Sequence, residues 1–277
     1  MRGAALSSTS QTLLLPLVLV LLAFSTPAVV ADGTVWATPH DSYSSSVGVL
    51  GCKINTDRVA YWPGSVDCNN LCISLSYDDG KTNKRTVKLL RIDQSQGAHD
   101  ISYDAWNYLY TGNSAKELPV AGGPLAMEYA ELPADECRSL LRTKDKKLAL
   151  SASNSMNFLA SCLAQPDSWV AKNYALYNML DSICSWGYDE VCKLDWPAAN
   201  QPTCKHSLGM PVELKDDPVY NVQYPSGDVV VASTGEKVSS PGHSTSPAAQ
   251  TRNGGPGRVA MALFMAGSLL WTCLVLG

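Results

Sequence analysis

Residues 72–77 alternate Ile73, Leu75 and Tyr77 against Ser74 and Ser76, the period of a half-buried strand. Asp78-Asp79-Gly80 supplies a turn, and residues 86–92 form a second, more continuously apolar strand. Leu125, Met127 and Tyr129 alternate with Ala126, Glu128 and Ala130 and predict a third. Between them, residues 102–110 read as a short helix with Trp106 and Leu109 inward. Strands gathered around one short helix predict a compact β-barrel over residues 47–137.

The period then changes. Met156, Leu159, Ala160 and Leu163 fall on one helical face, with Ser151 or Ser153 as cap. Pro166-Asp167 breaks the chain, and Leu176, Leu180, Ile183 and Cys184 predict a second helix with Asp167 as N-cap. Residues 138–210 are therefore expected to be a helical, cysteine-bearing extension. Cys162 and Cys184 lie on the apolar stripes, so each is expected to bridge the helices or reach back to the barrel. Residues 211–253 turn to Pro, Ser, Thr, Gly and Val and read as an extended, O-glycosylated stalk. No Asn-x-Ser/Thr sequon and no internal repeat occurs.

The two ends carry targeting patterns. Arg2, an apolar run over residues 13–24 and the close Ala28-Val29-Val30-Ala31 predict a secretory signal over residues 1–31. Residues 259–276 are apolar, and the nearest charge, Arg258, precedes them. Small residues and a polar spacer lie upstream, which is the pattern exchanged for a glycosylphosphatidylinositol (GPI) lipid. Asn253 is the first candidate for attachment, Ser244 and Ser246 are alternatives, and residues 254–277 would be the discarded propeptide. A retained transmembrane helix is the competing reading. The expected location is the outer face of the plasma membrane or the cell wall.

Of nine cysteines, Cys273 lies in that tail. The other eight are Cys52, Cys68, Cys72, Cys137, Cys162, Cys184, Cys192 and Cys204, an even set that predicts a disulfide framework of up to four bridges. Eight cysteines allow 105 pairings, so the sequence leaves connectivity open. Cys68 and Cys72 are spaced C-x3-C, and the four histidines are scattered, so no metal is expected. A net charge of −4 argues against a nucleic-acid partner, and the cluster at residues 144–147 reads as a solvated loop. The sequence holds no nucleophile elbow, phosphate loop or dinucleotide fingerprint, so no cofactor is expected. The protein is expected to be a monomer.

The ordered set Leu89-Leu90-Arg91-Ile92-Asp93-Gln94-Ser95, His99-Asp100-Ile101-Ser102-Tyr103-Asp104-Ala105-Trp106, Leu125-Ala126-Met127-Glu128-Tyr129 and Cys137 resembles the six-stranded double-psi β-barrel of expansins, barwin-like proteins and related fungal secreted proteins. The likeness covers residues 47–137 and implies a mainly-β barrel there, which the helical extension follows. It implies that Asp93 and Asp100 are the barrel-groove aspartates, with Asp100 as the acid that would protonate a leaving sugar oxygen. Such an acid must hold its proton near working pH. Hydrolysis also needs a second carboxylate; Asp93 is the candidate and Asp67 a poorer one. The structural alternatives are that Asp100 caps the short helix and that Asp93 closes a barrel turn.

Two features depart from that family. The β-sandwich module of its plant wall-loosening members is replaced by the extension, and the short aromatic-Gly motif has only Tyr61-Trp62-Pro63-Gly64 as a counterpart. Tyr61, Trp62 and Trp106 are the barrel aromatics that could stack on sugars; Trp169, Trp186 and Trp196 are those of the extension, and core packing is the competing role. The function expected is binding or non-hydrolytic loosening of wall polysaccharide: β-glucan, cellulose or chitin. The alternatives are a glycoside hydrolase or lytic transglycosylase using Asp100, and a structural or adhesion protein.

Overall fold

A computed structural model describes residues 32–80 and 84–238. The signal segment 1–31, the candidate anchor residues Ser244, Ser246 and Asn253, and the apolar tail lie outside the described residues.

Six strands close into a barrel in the order β1-β5-β2-β4-β3-β6. They are β1 (Gly33–His40), β2 (Val59–Pro63), β3 (Cys72–Asp78), β4 (Lys84–Ser95), β5 (His99–Ser102) and β6 (Leu125–Leu132). β1 runs parallel to β5 and β2 parallel to β4, while the other neighbours are antiparallel. A closed, mixed, six-stranded barrel is the architecture expected from the double-psi likeness. Ile73 and Leu75 point inward as their alternation predicts, joined by Val35, Ala37, Ala60, Leu89, Ile101 and Met127. β4 reads as continuously apolar because it buries both faces: Val87 and Leu89 fill the barrel, Leu90 and Ile92 a second core. Helix α1 (Tyr103–Thr111) buries Trp106 and Leu109 and ends at Gly112, whose φ of 84° suits a residue without Cβ.

Three expectations are corrected. The barrel begins at β1, upstream of residue 47, because Val35 and Ala37 alternate inward against Thr34, Trp36 and Thr38. The second helix of the extension is a strand. Helix α2 (Met156–Leu163) forms as predicted, but α3 (Trp169–Lys172) stops after four residues, and β8 (Tyr174–Met179) follows. β8 lies between β7 (Leu148–Ser151), parallel, and β9 (Gly187–Cys192), antiparallel. The ladder with buried β7 outweighs the helical spacing of Leu176, Leu180 and Ile183, and Cys184 sits at φ 57°, where a helix cannot continue. Ser168 caps α3 by accepting from the Ala171 amide, while Asp167 pairs with Lys172 instead.

The third correction is the stalk. Residues 211–238 fold back: β10 (Tyr220–Val222) pairs with β11 (Val229–Val231), and Val219 and Val222 are buried. The Tyr43 amide donates to Asn221 Oδ1 at 2.9 Å, and Tyr224 Oη donates to the Gly122 carbonyl at 2.6 Å. The Ser/Pro-rich run beyond residue 238 lies outside the described residues.

All eight expected cysteines are bridged. Cys72–Cys137 staples the barrel, Cys52–Cys184 and Cys68–Cys162 tie barrel to extension, and Cys192–Cys204 closes a loop within the extension. Cys162 and Cys184 thus take the back-to-barrel option. That last loop is also pinned by Glu190 on β9, which accepts from the His206 amide at 2.8 Å and Asn178 Nδ2 at 2.9 Å and meets the His206 ring at 2.8 Å. Desolvation opposes the Glu190 charge, but these hydrogen bonds outweigh it and hold the carboxyl at about 2.

Replacing both cysteines of Cys52–Cys184, 132 residues apart, is expected to destabilise the fold by about 3–5 kcal/mol. The loss should exceed that from Cys192–Cys204, which closes only 12 residues, when both are measured by urea denaturation. A depressed carboxyl contributes stability above its unfolded value, ordinarily 4.5, and loses it as pH falls toward about 2. Acid titration followed by Trp186 fluorescence should therefore show the extension loosening in that window, and Glu190→Gln should flatten the transition.

Candidate functional site

The site begins with an irregularity. A register shift between Ala60 and Tyr61 on β2 places Tyr61 opposite Asp93 of β4 on one side and Asp100 of β5 on the other. Asp100 in turn pairs with Thr38 of β1. Directly paired residues share one face of a sheet. Asp93, Tyr61, Asp100 and Thr38 therefore form a row across four adjacent strands. The row lies on the outer wall, since Ala37, Ala60 and Ile101 face the interior.

Half of that row is covered. The segment 42–46 lies over it: Tyr61 Oη donates to the Ser42 carbonyl at 3.0 Å and accepts from the Ser44 amide at 3.2 Å. Ser45 Oγ donates to the Ile92 carbonyl at 2.8 Å. Asp93 is 7% exposed and accepts from the Ser46 amide and the Gln94 amide, both at 2.8 Å, and from the Ser46 hydroxyl. Three donors and a buried position make Asp93 the anchor of this segment. Burial above all pushes the Tyr61 phenol far above its ordinary value, and the Asp93 and Asp100 charges add to the rise against the Ser44 hydrogen bonds. Tyr61 thus keeps its proton and donates it to Ser42.

The other half is open. Asp100 is half-buried and accepts a hydrogen bond from the Thr38 hydroxyl. The helix-capping alternative does not describe it, because α1 starts after Ser102 and has no side-chain cap bond. Alternation along β1 carries Trp36, Thr38 and His40 on the same outer face. Trp36 is 64% exposed, and the His40 ring lies 4.5 Å from that of Tyr61. At about 3.3 Å per residue, these three side chains span about 13 Å.

The expected aromatic platform is divided differently from the sequence reading. Trp106 is fully buried and packs so closely that a Cβ at Gly122 would collide with its ring; it is a core residue. Trp62 lies on the inner side, 6% exposed, with ring centroids 4.5 Å from His99 and 5.8 Å from Tyr129. Burial lowers the His99 pKa, and Arg91 adds to this against Asp100. Tyr61 is buried beneath the segment 42–46. Asp67 is an exposed turn residue accepting from the Asn69 and Asn70 amides. In the extension, Trp169 Nε1 donates to Asp135 at 2.6 Å, while Trp186 is largely exposed.

Sequence reasoning missed Trp36. Its signal was present in the alternation of Thr34, Trp36 and Thr38 against Val35 and Ala37, but the barrel was taken to begin later. The open half offers one aromatic face, one carboxylate, one hydroxyl and one imidazole, a set suited to stacking on and hydrogen-bonding a polyol. Among the described residues no three His, Cys, Asp or Glu side chains gather as metal ligands.

No family model matches the chain, and no curated protein does. Among solved structures, the chain is similar to the crystal structure of cerato-platanin 2 from M. perniciosa. The match has 15% identity and a TM-score of 0.29, and covers 38% of this chain and 98% of the other. At that TM-score the likeness carries no functional argument.

Trp106→Ala is expected to cost about 3–5 kcal/mol in urea denaturation, as loss of a buried aromatic does. Trp36→Ala should stay within about 0.5 kcal/mol of the parent, as exposed positions do. Equal losses at the two sites would show that Trp36 is part of the packed core.

Proposed function

We propose that the outer β1–β5 face of the barrel binds neutral wall polysaccharide and leaves its glycosidic bonds intact. The observation that carries this reading is Trp36, exposed and in line with Thr38, His40 and Asp100 on one open strip. A pyranose face fits an exposed indole, and it is the line of polar groups beside Trp36 that sets it apart from a singly exposed apolar side chain. The polar neighbours supply hydrogen-bond partners for the hydroxyls.

The burial of Asp93 supports binding over two-carboxylate hydrolysis. Hydrolysis by either stereochemical route uses two carboxylates flanking the scissile bond. Here Asp93 is buried under the segment 42–46, its oxygens taken by three donors, and Tyr61 stands between it and Asp100. Only Asp100 faces the open strip. Working at the cell surface or in the wall, held there by a GPI lipid, follows from the sequence patterns at both ends and belongs to the same proposal. The polymers to test are cellulose, chitin and β-1,3-glucan.

Retention of the processed chain on one of these insoluble polymers, with no reducing ends released, is the expected result. Trp36→Ala should weaken retention by about tenfold, the scale of a lost stacking contact of about 1–1.5 kcal/mol. Sugar release abolished by Asp100→Asn would replace this reading with a lytic enzyme, and no retention on any polymer would favour adhesion to a protein.

A further inference from the structure

The extension carries an open groove of about 730 Å³ that the barrel face does not explain. It is lined by Lys144, Lys147 and Lys172 together with Tyr174 and Tyr177, and Asp145 is its only acidic lining residue. The lysines come from two elements, the loop before β7 and the end of α3. In a chain of net charge −4 this local reversal of sign is a property of the fold.

The charges are available. Lys144 has no carboxylate partner among the described residues. Lys147 pairs with Asp145 at 3.3 Å and Lys172 with Asp167 at 2.9 Å, but the two carboxylate side chains are 55% and 98% exposed. Exposed pairs of this kind are worth at most about 1 kcal/mol, so an incoming anion can exchange for either partner. The tyrosines add flat apolar faces with hydroxyl edges. The Tyr177 ring also lies 5.6 Å from Lys53 Nζ, which sets its position.

We propose that this groove binds an acidic polysaccharide, a chain of uronic-acid residues. Lysines from two separate elements lining one open cleft match repeated carboxylates better than a single phosphate. Tyrosines in the same lining supply rings that can stack on sugars. A concave shape disfavours a flat anionic bilayer. The inference is independent of the barrel strip, which offers no lysine or arginine.

The test uses the full processed chain and polygalacturonate as the probe, in affinity electrophoresis at low and high salt, with neutral soluble β-glucan as control. Polygalacturonate should retard the protein at low salt and release it at high salt. The double substitution Lys144→Gln/Lys172→Gln should weaken that binding about tenfold, and Tyr174→Ala should weaken it also. Lys144 and Lys172 are exposed, so an unchanged thermal midpoint would show that the double variant folds, while Tyr174→Ala, half-buried against the core, is assayed below its own midpoint. Trp36→Ala should leave polygalacturonate binding unchanged, which separates this groove from the barrel face. No retardation at low salt, or retardation indifferent to the lysine substitutions, would overturn the proposal. Binding to phosphatidylserine vesicles but not to polygalacturonate would overturn it in favour of a membrane surface.

Discussion

One wall of this barrel cannot face water. β4 carries Val87 and Leu89 into the barrel and Leu90 and Ile92 out of it, and Leu71 and Val59 join them on the outside. At about 25 cal/mol per Å² of apolar surface, leaving that wall exposed would be strongly unfavourable. The extension is the cover this requires. α2, β7 and β8 contribute Leu159, Leu148, Leu150 and Leu176 to the same core, and two disulfides fasten the cover in place. The opposite wall, β1 and β5, has no such apolar outer surface, and Thr34, Trp36, Thr38 and His40 remain accessible there.

This division decides what the two aspartates can do. They belong to a single row, yet Asp93 lies on the covered side and Asp100 on the open side, with Tyr61 between them. The register shift at Ala60/Tyr61 creates the row, and the segment 42–46 splits it. Without the shift, Tyr61 would pair with Ile92, and the phenol would lose its place between the two carboxylates. A carboxylate held by two amides and a hydroxyl is an organiser of backbone, and the barrel uses Asp93 in that way.

How much of this was legible in the sequence follows from the range of the forces involved. Ile73, Leu75, Met127, Trp106 and Leu109 were readable because alternation and helical spacing are local. The even cysteine set announced a framework, but the pairing of Cys52 with Cys184 depends on a fold that brings residues 132 apart together. β8 was misread because its neighbour β7 supplies the hydrogen bonds that settle it, and no local period reports a parallel partner. Trp36 was overlooked for a different reason: a strand of eight residues beside a segment that reads as a leader looks like a tail until its partners are known. The candidate aspartates were found by motif order, while their unequal accessibility was not, since it arises from a serine-rich segment with no periodicity.

The return of the chain through β10 and β11 has a mechanical consequence. A protein held by its C-terminus receives any load at the residue where the fold ends. Under the lipid attachment proposed above, load drawn along the C-terminal segment would reach β11 and its short ladder with β10, and then Val219 and Val222, which are embedded in the two cores. Tyr224 and Asn221 join this stretch to Gly122 and Tyr43 of the barrel, so tension spreads into the barrel wall. The extension shares the Val219 core and is fastened to the barrel by two disulfides, so barrel and extension would take that load together. On that proposal the small hairpin is the first described element to meet the strain.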